Sequence, residues 1–178
     1  MIRIVIAEDQ EMLLGAIGSL LNLEDDMEVV GKAGNGEEAL TLVHLLKPDV
    51  CLMDIEMPEK SGLEAAEALK PYGCKVIILT TFARNGYFQR ALNADVRGYL
   101  LKDSPSEELA GSIRHIINGE RIYSSELIDE EFSETAPEQN VIESFGNSES
   151  TKKIAHKQFG TVRKYLSSIL DKIKLPTG

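Results

Sequence analysis

Four places along the chain carry side chains that complement one another chemically. Glu8 and Asp9 form an acidic pair, Asp54 is a third carboxylate, Thr80 and Thr81 supply hydroxyls, and Lys102 supplies an ammonium. Each stands at the end of a short apolar run. Three carboxylates brought together repel, and a cation makes such a cluster tolerable. All-oxygen donors suit a hard ion. Mg2+ takes one or two carboxylates, keeps waters and leaves room for a phosphate oxygen. The Lys102 ammonium and the Thr80 hydroxyl both suit phosphoryl oxygens. A carboxylate nucleophile, a metal and a fixed cation together describe phosphoryl transfer onto Asp54, giving an acyl phosphate. Taken singly, an acidic residue after a strand is ordinarily solvated and Lys102 an ordinary surface lysine. The joint placement is the signal.

That placement requires elements that bring the run ends together. Five β-like runs, Ile2–Ala7, Glu28–Ala33, Asp49–Met53, Lys75–Thr80 and Gly98–Leu101, alternate with stretches of helical period. Those stretches are Glu11–Leu23, Glu37–Leu46, Leu63–Leu69, Gly86–Asn93 and Ser106–Asn118. Ile4-Val5-Ile6-Ala7 and Val76-Ile77-Ile78-Leu79 are continuously apolar, as parallel strands buried on both faces are. Ser104-Pro105-Ser106-Glu107 predicts a helix start, with Ser104 as N-cap, and Gly119 predicts its stop. Strand–helix alternation on this rhythm predicts an α/β fold, a doubly wound (βα)5 parallel sheet. In such sheets ligands gather at the carboxyl ends of the strands.

The chain has 178 residues and a formal charge of −10, with 43% apolar residues, enough for a real core. No apolar run approaches a membrane span, and the start lacks a signal peptide's shape. Two cysteines, Cys51 and Cys74, form no disulfide framework, which points to a reducing cytoplasm. The charge is unevenly divided. Residues 1–130 hold 12 Lys and Arg against 23 Asp and Glu, whereas 150–178 hold seven against Asp171 alone. An acidic body with a basic end suggests an anionic partner for the end only.

The residues Ile-Ala-Glu8-Asp9, Cys-Leu-Met-Asp54-Ile-Glu-Met-Pro58-Glu-Lys-Ser-Gly62, Ile-Leu-Thr80-Thr-Phe and Gly-Tyr99-Leu-Leu-Lys102-Asp resemble the motif set of two-component receiver domains. The resemblance covers residues 1 to about 128, and within receivers the stretch from Leu79 to Glu126 is similar to the NarL/FixJ group. It implies sheet order 2-1-3-4-5 and Asp54 as phosphoacceptor. Asp9 would bind Mg2+ directly, Glu8 directly or through water, and the Glu56 backbone carbonyl would complete the protein ligands. Thr80 would bond the phosphoryl oxygen, Lys102 would pair with it, and Tyr99 would be the switch that follows Thr80. Asp103 stands where a proline is usual. The partners implied are a sensor histidine kinase and a second copy, through helices 1 and 5. Met12, Leu13, Ala16, Ile17 and Leu20 are the apolar candidates for that face.

Beyond residue 128 the texture changes. A linker over 129–137 and a small helical unit over 138–178 are predicted. Its final helix has Val162, Tyr165, Leu166, Ile169, Leu170 and Ile173 on one stripe. The resemblance makes this an all-α helix-turn-helix unit binding promoter DNA. Thr161, Lys164 and Ser168 would face the groove, and Lys152, Lys153 and Arg163 would contact phosphates. Only Gln-Phe-Gly separates Lys157 from Thr161, so the unit is expected to be shortened and to lack its last helix.

The reading is a DNA-binding response regulator that accepts a phosphoryl group and is not a turnover enzyme, beyond slow loss of its own phosphate. One rival is a receiver acting through protein–protein contacts, its DNA-binding unit being broken. Another is a phosphatase using an aspartyl phosphate, but that chemistry pairs Asp-x-Asp, and the second acid here is Glu56. His44, His115 and His156 have no ligand partners at metal spacing, and Cys51 reads as a core residue.

Overall fold

The continuous apolar runs become strands because every residue in them meets a helix. In the computed structural model, which describes residues 1–128 apart from 82, 83, 85, 104 and 105, the first five strands are β1 (Ile2–Ala7), β2 (Met27–Ala33), β3 (Val50–Asp54), β4 (Lys75–Thr80) and β5 (Gly98–Leu101). The helices are α1 (Glu11–Leu21), α2 (Gly36–Leu46), α3 (Gly62–Leu69), α4 (Tyr87–Asn93) and α5 (Ser106–Ile117). A 3-10 turn, Lys70–Tyr72, extends α3. Along β1, Ile4 and Ile6 face one layer while Val5 and Ala7 face the other. In β3 the same alternation sends Val50 and Leu52 one way, Cys51 and Met53 the other. α1 and α5 cover the first face; α2, α3 and α4 cover the second. Burying each Leu or Ile of these layers stabilises the fold by about 1.5–3 kcal/mol, more than any cap contributes.

All strands are parallel, in the order β2-β1-β3-β4-β5-β6, so the expected order 2-1-3-4-5 holds and a sixth strand is added. This β6 (Ile122–Tyr123) pairs with β5, Gly98 against Ile122 and Tyr99 against Tyr123. All five expected strands are present, and β6 is an addition at the edge. Two residues give no period to read, and β6 forms because the β5 edge offers it hydrogen bonds. Other boundaries move by one or two residues; β3 starts at Val50 and takes in Asp54.

Helix ends explain the rest. Asn35 caps α2, its side-chain oxygen accepting from the Glu38 N–H at 2.8 Å. Ser61 and Glu64 form a capping box at the start of α3. The predicted stop at Gly119 is a Schellman motif. Gly119 has φ +100, its N–H donates to Ile116 O, and Glu120 N–H donates to His115 O. The predicted cap residue Ser104, with Pro105, lies outside the described residues. Among the described residues no helix is long and apolar enough to cross a membrane.

Candidate functional site

The sheet's winding reverses between β1 and β3, and the strand register decides what sits there. Ala7 pairs with Met53, so the next residues, Glu8 and Asp54, emerge side by side. Asp54 pairs with Leu79 and Thr80 with Leu101, which brings Thr80 and Lys102 to the same edge. The Lys102 backbone N–H donates to Thr80 O at 2.8 Å, tying the ends of β4 and β5 together.

Lys102 is the hub. Its Nζ lies 2.7 Å from Glu8 Oε2 and 2.9 Å from Asp54 Oδ2, and all three side chains are more than nine-tenths buried. The other Asp54 oxygen, Oδ1, accepts the Ile55 N–H at 2.7 Å, and Glu8 Oε1 accepts the Gln10 N–H at 3.2 Å. Burial of the Lys102 ammonium works against its charge. The bonds to Glu8 and Asp54, with both carboxylate charges, outweigh that burial and raise its pKa. Glu8 is also raised, chiefly by burial; Lys102 opposes the rise and the Asp54 charge adds to it. The rise at Glu8 thus reflects its removal from water first and the neighbouring Asp54 charge only second.

Asp9 is exposed and completes that cluster. Glu8, Asp9 and Asp54 each offer a carboxylate oxygen, and the three lie within 4.8 Å of one another. Three hard oxygen donors against one ammonium fit a divalent cation. Glu56, two residues past Asp54, sends its side chain to Arg84, with Arg84 Nη2 2.8 Å from Glu56 Oε1. That pair joins the loop after β3 to the loop after β4.

The loop after Asp54 is clamped by two glycines, Gly62 at the end of the Asp54 motif and Gly36, which the sequence reading did not single out. A Cβ on Gly62 would stand 1.9 Å from the Asp54 carbonyl oxygen, and one on Gly36 would stand 2.5 Å from the Lys60 carbonyl oxygen. Gly62 N–H donates to Ile55 O and Gly36 N–H to Lys60 O. Helices α2 and α3 thus start hard against the loop's backbone. A missing side chain leaves no periodic signal, so only close packing reveals these roles.

The expected residues Glu8, Asp9, Asp54, Thr80 and Lys102 converge, and Tyr99 is fully buried one strand from Asp54's neighbour β4. On α1, Ile17 is buried, Met12 exposed, and Leu13, Ala16 and Leu20 half-buried. His44 packs edge-on against Tyr72, and His115 bonds Glu120, neither near a metal-binding group. Cys51 is a core residue as expected. The predicted DNA contacts Lys152, Lys153, Thr161, Arg163, Lys164 and Ser168, and His156, lie outside the described residues.

A doubly wound sheet presenting three carboxylates, a threonine and a lysine at its carboxyl edge defines a phospho-accepting receiver rather than a turnover enzyme. Residues 4–114 match the response regulator receiver domain, and the chain belongs to the response regulator family. It is 60% identical to the transcriptional regulatory protein DesR of Bacillus subtilis (strain 168), over 98% of this chain and 92% of DesR. It is 32% identical to the response regulator protein VraR of Staphylococcus aureus (strain NCTC 8325 / PS 47), over 98% of this chain and 91% of VraR. Among solved structures, a DNA-binding response regulator of the LuxR family from Staphylococcus aureus superposes with a TM-score of 0.63 at 40% identity. That match covers 66% of this chain and all of the other.

Proposed function

We propose that Asp54 accepts a phosphoryl group from the phosphohistidine of a sensor histidine kinase, and that the modified protein pairs with a second copy to bind promoter DNA and control transcription. The observation that carries this is the shared ammonium: Lys102 is held between Glu8 and Asp54, out of water, with Asp9 at the rim. An Asp54 carboxylate oxygen attacks phosphorus, the P–N bond breaks, and its electron pair returns to the imidazole, which takes a proton from water. The Ile55 N–H holds the Asp54 carboxylate in one orientation for that attack. Lys102 then leaves the Asp54 oxygen for a phosphoryl oxygen, and the Thr80 hydroxyl donates to another. Tyr99 follows Thr80 as the switch. Mg2+ is the cation the site suits. Asp9 and Asp54 would hold it, with Glu8 directly or through water and the Glu56 carbonyl, neutralising charge on the transferring group.

The receiver is residues 1–128, 129–137 the linker and 138–178 the DNA-binding unit. α1 and α5 share one face of the sheet, with Met12 exposed, which supports them as the pairing surface. Acting on promoter DNA places the protein in the cytoplasm.

The test uses the full chain with Mg2+ and a small phosphoryl donor, read by intact mass. One stoichiometric phosphoryl adduct that Asp54→Asn abolishes is expected. Labelling of the Asn variant, or sustained turnover of phosphomonoesters, would overturn the assignment. Capture of fragmented genomic DNA in Mg2+ alone and with beryllofluoride tests the output. Enrichment of a few fragments only in the second state is expected. No enrichment with dimerisation intact by light scattering would mean that the protein acts through protein contacts.

A further inference from the structure

Tyr99 has two neighbours that its role at the site does not use. Its ring lies 5.6 Å from that of Phe88 on α4, tilted by 53°, and Phe88 in turn lies 5.3 Å from Tyr123 on β6, edge-on at 80°. Both spacings fall in the range where aromatic pairs attract beyond the area they bury. Tyr99 is fully buried and Phe88 nearly so, so neither ring moves without the other giving way. The backbone repeats the connection. Tyr99 and Tyr123 are register partners, and Ser124 N–H donates to the Tyr99 carbonyl at 2.8 Å.

β6 is held lightly enough to respond. It has two residues, and the bonds that flank it include Ile122 N–H to Arg97 O and Ser124 N–H to Tyr99 O. The Tyr123 hydroxyl donates to Val96 O at 3.1 Å and accepts from Arg121 Nη1 at 3.1 Å. Arg121 is itself paired with Asp95. A strand with few bonds on a sheet edge opens at low free energy, and its ring is set by what Phe88 allows. Directly after it come residues 124–128, of which Leu127 is fully buried in the layer shared with Phe88 and Tyr99.

We propose that Tyr99, Phe88 and Tyr123 form a relay that carries the state of the phosphorylation site to β6 and to residues 124–128 beside it. The inference rests on the reading of Tyr99 as the switch. The inward Tyr99 seats Phe88 against Tyr123 and keeps Ser124 bonded to its own carbonyl. A different Tyr99 rotamer vacates one side of Phe88, and the packed layer has no continuous range of intermediate positions. Tyr123 and residues 124–128 then repack. The coupling runs through a two-state element that both ends touch.

The test is fluorine NMR on the full chain carrying 3-fluorotyrosine, with Mg2+ alone and with Mg2+ plus beryllofluoride. Its five tyrosines are assigned by single Tyr→Phe variants, and Tyr72, on the 3-10 turn after α3, reports that the fold is intact. In the parent protein the Tyr99 and Tyr123 resonances are both expected to shift on beryllofluoride. In Phe88→Leu, Tyr99 still shifts and the Tyr123 shift is lost. Phe88→Met, which keeps more volume without a ring, gives the same result should the leucine variant fold poorly. A Tyr123 shift that survives both substitutions overturns the relay while leaving the switch standing. A Tyr99 resonance that never moves overturns the switch reading, and the relay with it.

Discussion

Replacing Lys102 with methionine removes the one ammonium that serves two buried carboxylates. The aliphatic stem and its volume are kept, so the change is electrostatic. Glu8 and Asp54 are left side by side at 2% and 8% side-chain exposure. Losing one partner of a buried pair costs about 3–5 kcal/mol, because the remaining charge is uncompensated. For a chain of this size that is a fall in melting temperature on the order of 10 °C. Two routes of relief set the conditions. Protonation is one. Burial already raises Glu8, and removing the lysine takes away the bond and charge that oppose that rise. A raised folded pKa on an acid means that the native state binds more protons, so variant stability falls as pH rises through the shifted range. The deficit against the parent therefore narrows as pH is lowered towards the carboxylate range. A divalent cation is the other. Mg2+ in excess stabilises the variant more than the parent, since it replaces the missing charge. The assay is thermal unfolding of parent and variant at neutral and mildly acidic pH, with and without Mg2+. A deficit under about 1 kcal/mol, indifferent to both pH and Mg2+, would refute the electrostatic account. The same substitution should leave phosphorylation of Asp54 possible but weaken the dimer it drives, which light scattering reads.

Gly62→Ala places a Cβ 1.9 Å from the Asp54 carbonyl oxygen, so the loop must shift; a loss of about 1–3 kcal/mol and a sharp fall in phosphoryl acceptance by intact mass are expected. Asp95 has φ +60, which asparagine also tolerates, and its carboxyl is held below its usual range chiefly by the bond from Arg121. Asp95→Asn should then cost less than about 1 kcal/mol near neutrality, the site being over a third exposed. Because the folded pKa is depressed, that difference vanishes as pH falls through the carboxylate range, and denaturant titrations at neutral and acid pH check it. Burial pushes the Cys74 thiol up to about 12 and also raises Cys51 well above its ordinary range. Neither should react quickly with a thiol reagent at neutral pH, Cys74 should react before the fully buried Cys51, and denaturant should release both.

The parts of this fold legible in the sequence are those where chemistry repeats along the chain. Buried parallel strands need apolar residues at every position, so Ile4–Ala7 and Val76–Leu79 declare themselves, and polar residues at their ends mark the working edge. Pairings across the fold leave no such trace. Nothing near Lys102 in the chain reveals that Glu8 and Asp54 share its ammonium, or that Arg84 reaches Glu56. Those contacts depend on register, which the paired residues Ala7 and Met53 settle only once the sheet exists. β6 was hidden for a related reason: two residues carry no period, and their stability belongs to β5. Lys47 is a smaller case. It ends α2 at φ +46, a left-handed position where glycine would have announced the stop.

On the proposed reading, the position of Lys102 explains how one covalent change at Asp54 would be felt beyond the site. Its Nζ is committed to Glu8 and Asp54, its backbone N–H to Thr80, and the residue before it, Leu101, is Thr80's register partner. A phosphoryl group on Asp54 would compete for the Nζ and attract the Thr80 hydroxyl at the same moment, drawing together the ends of two hydrogen-bonded strands. Tyr99 lies three residues back along β5, with its carbonyl bonded to Ser124. The strand that feels the new charge is therefore the strand that anchors β6. β5 pairs with β4 on one side and β6 on the other, so the strand next to the site's edge is also the one that the proposed ring relay spans.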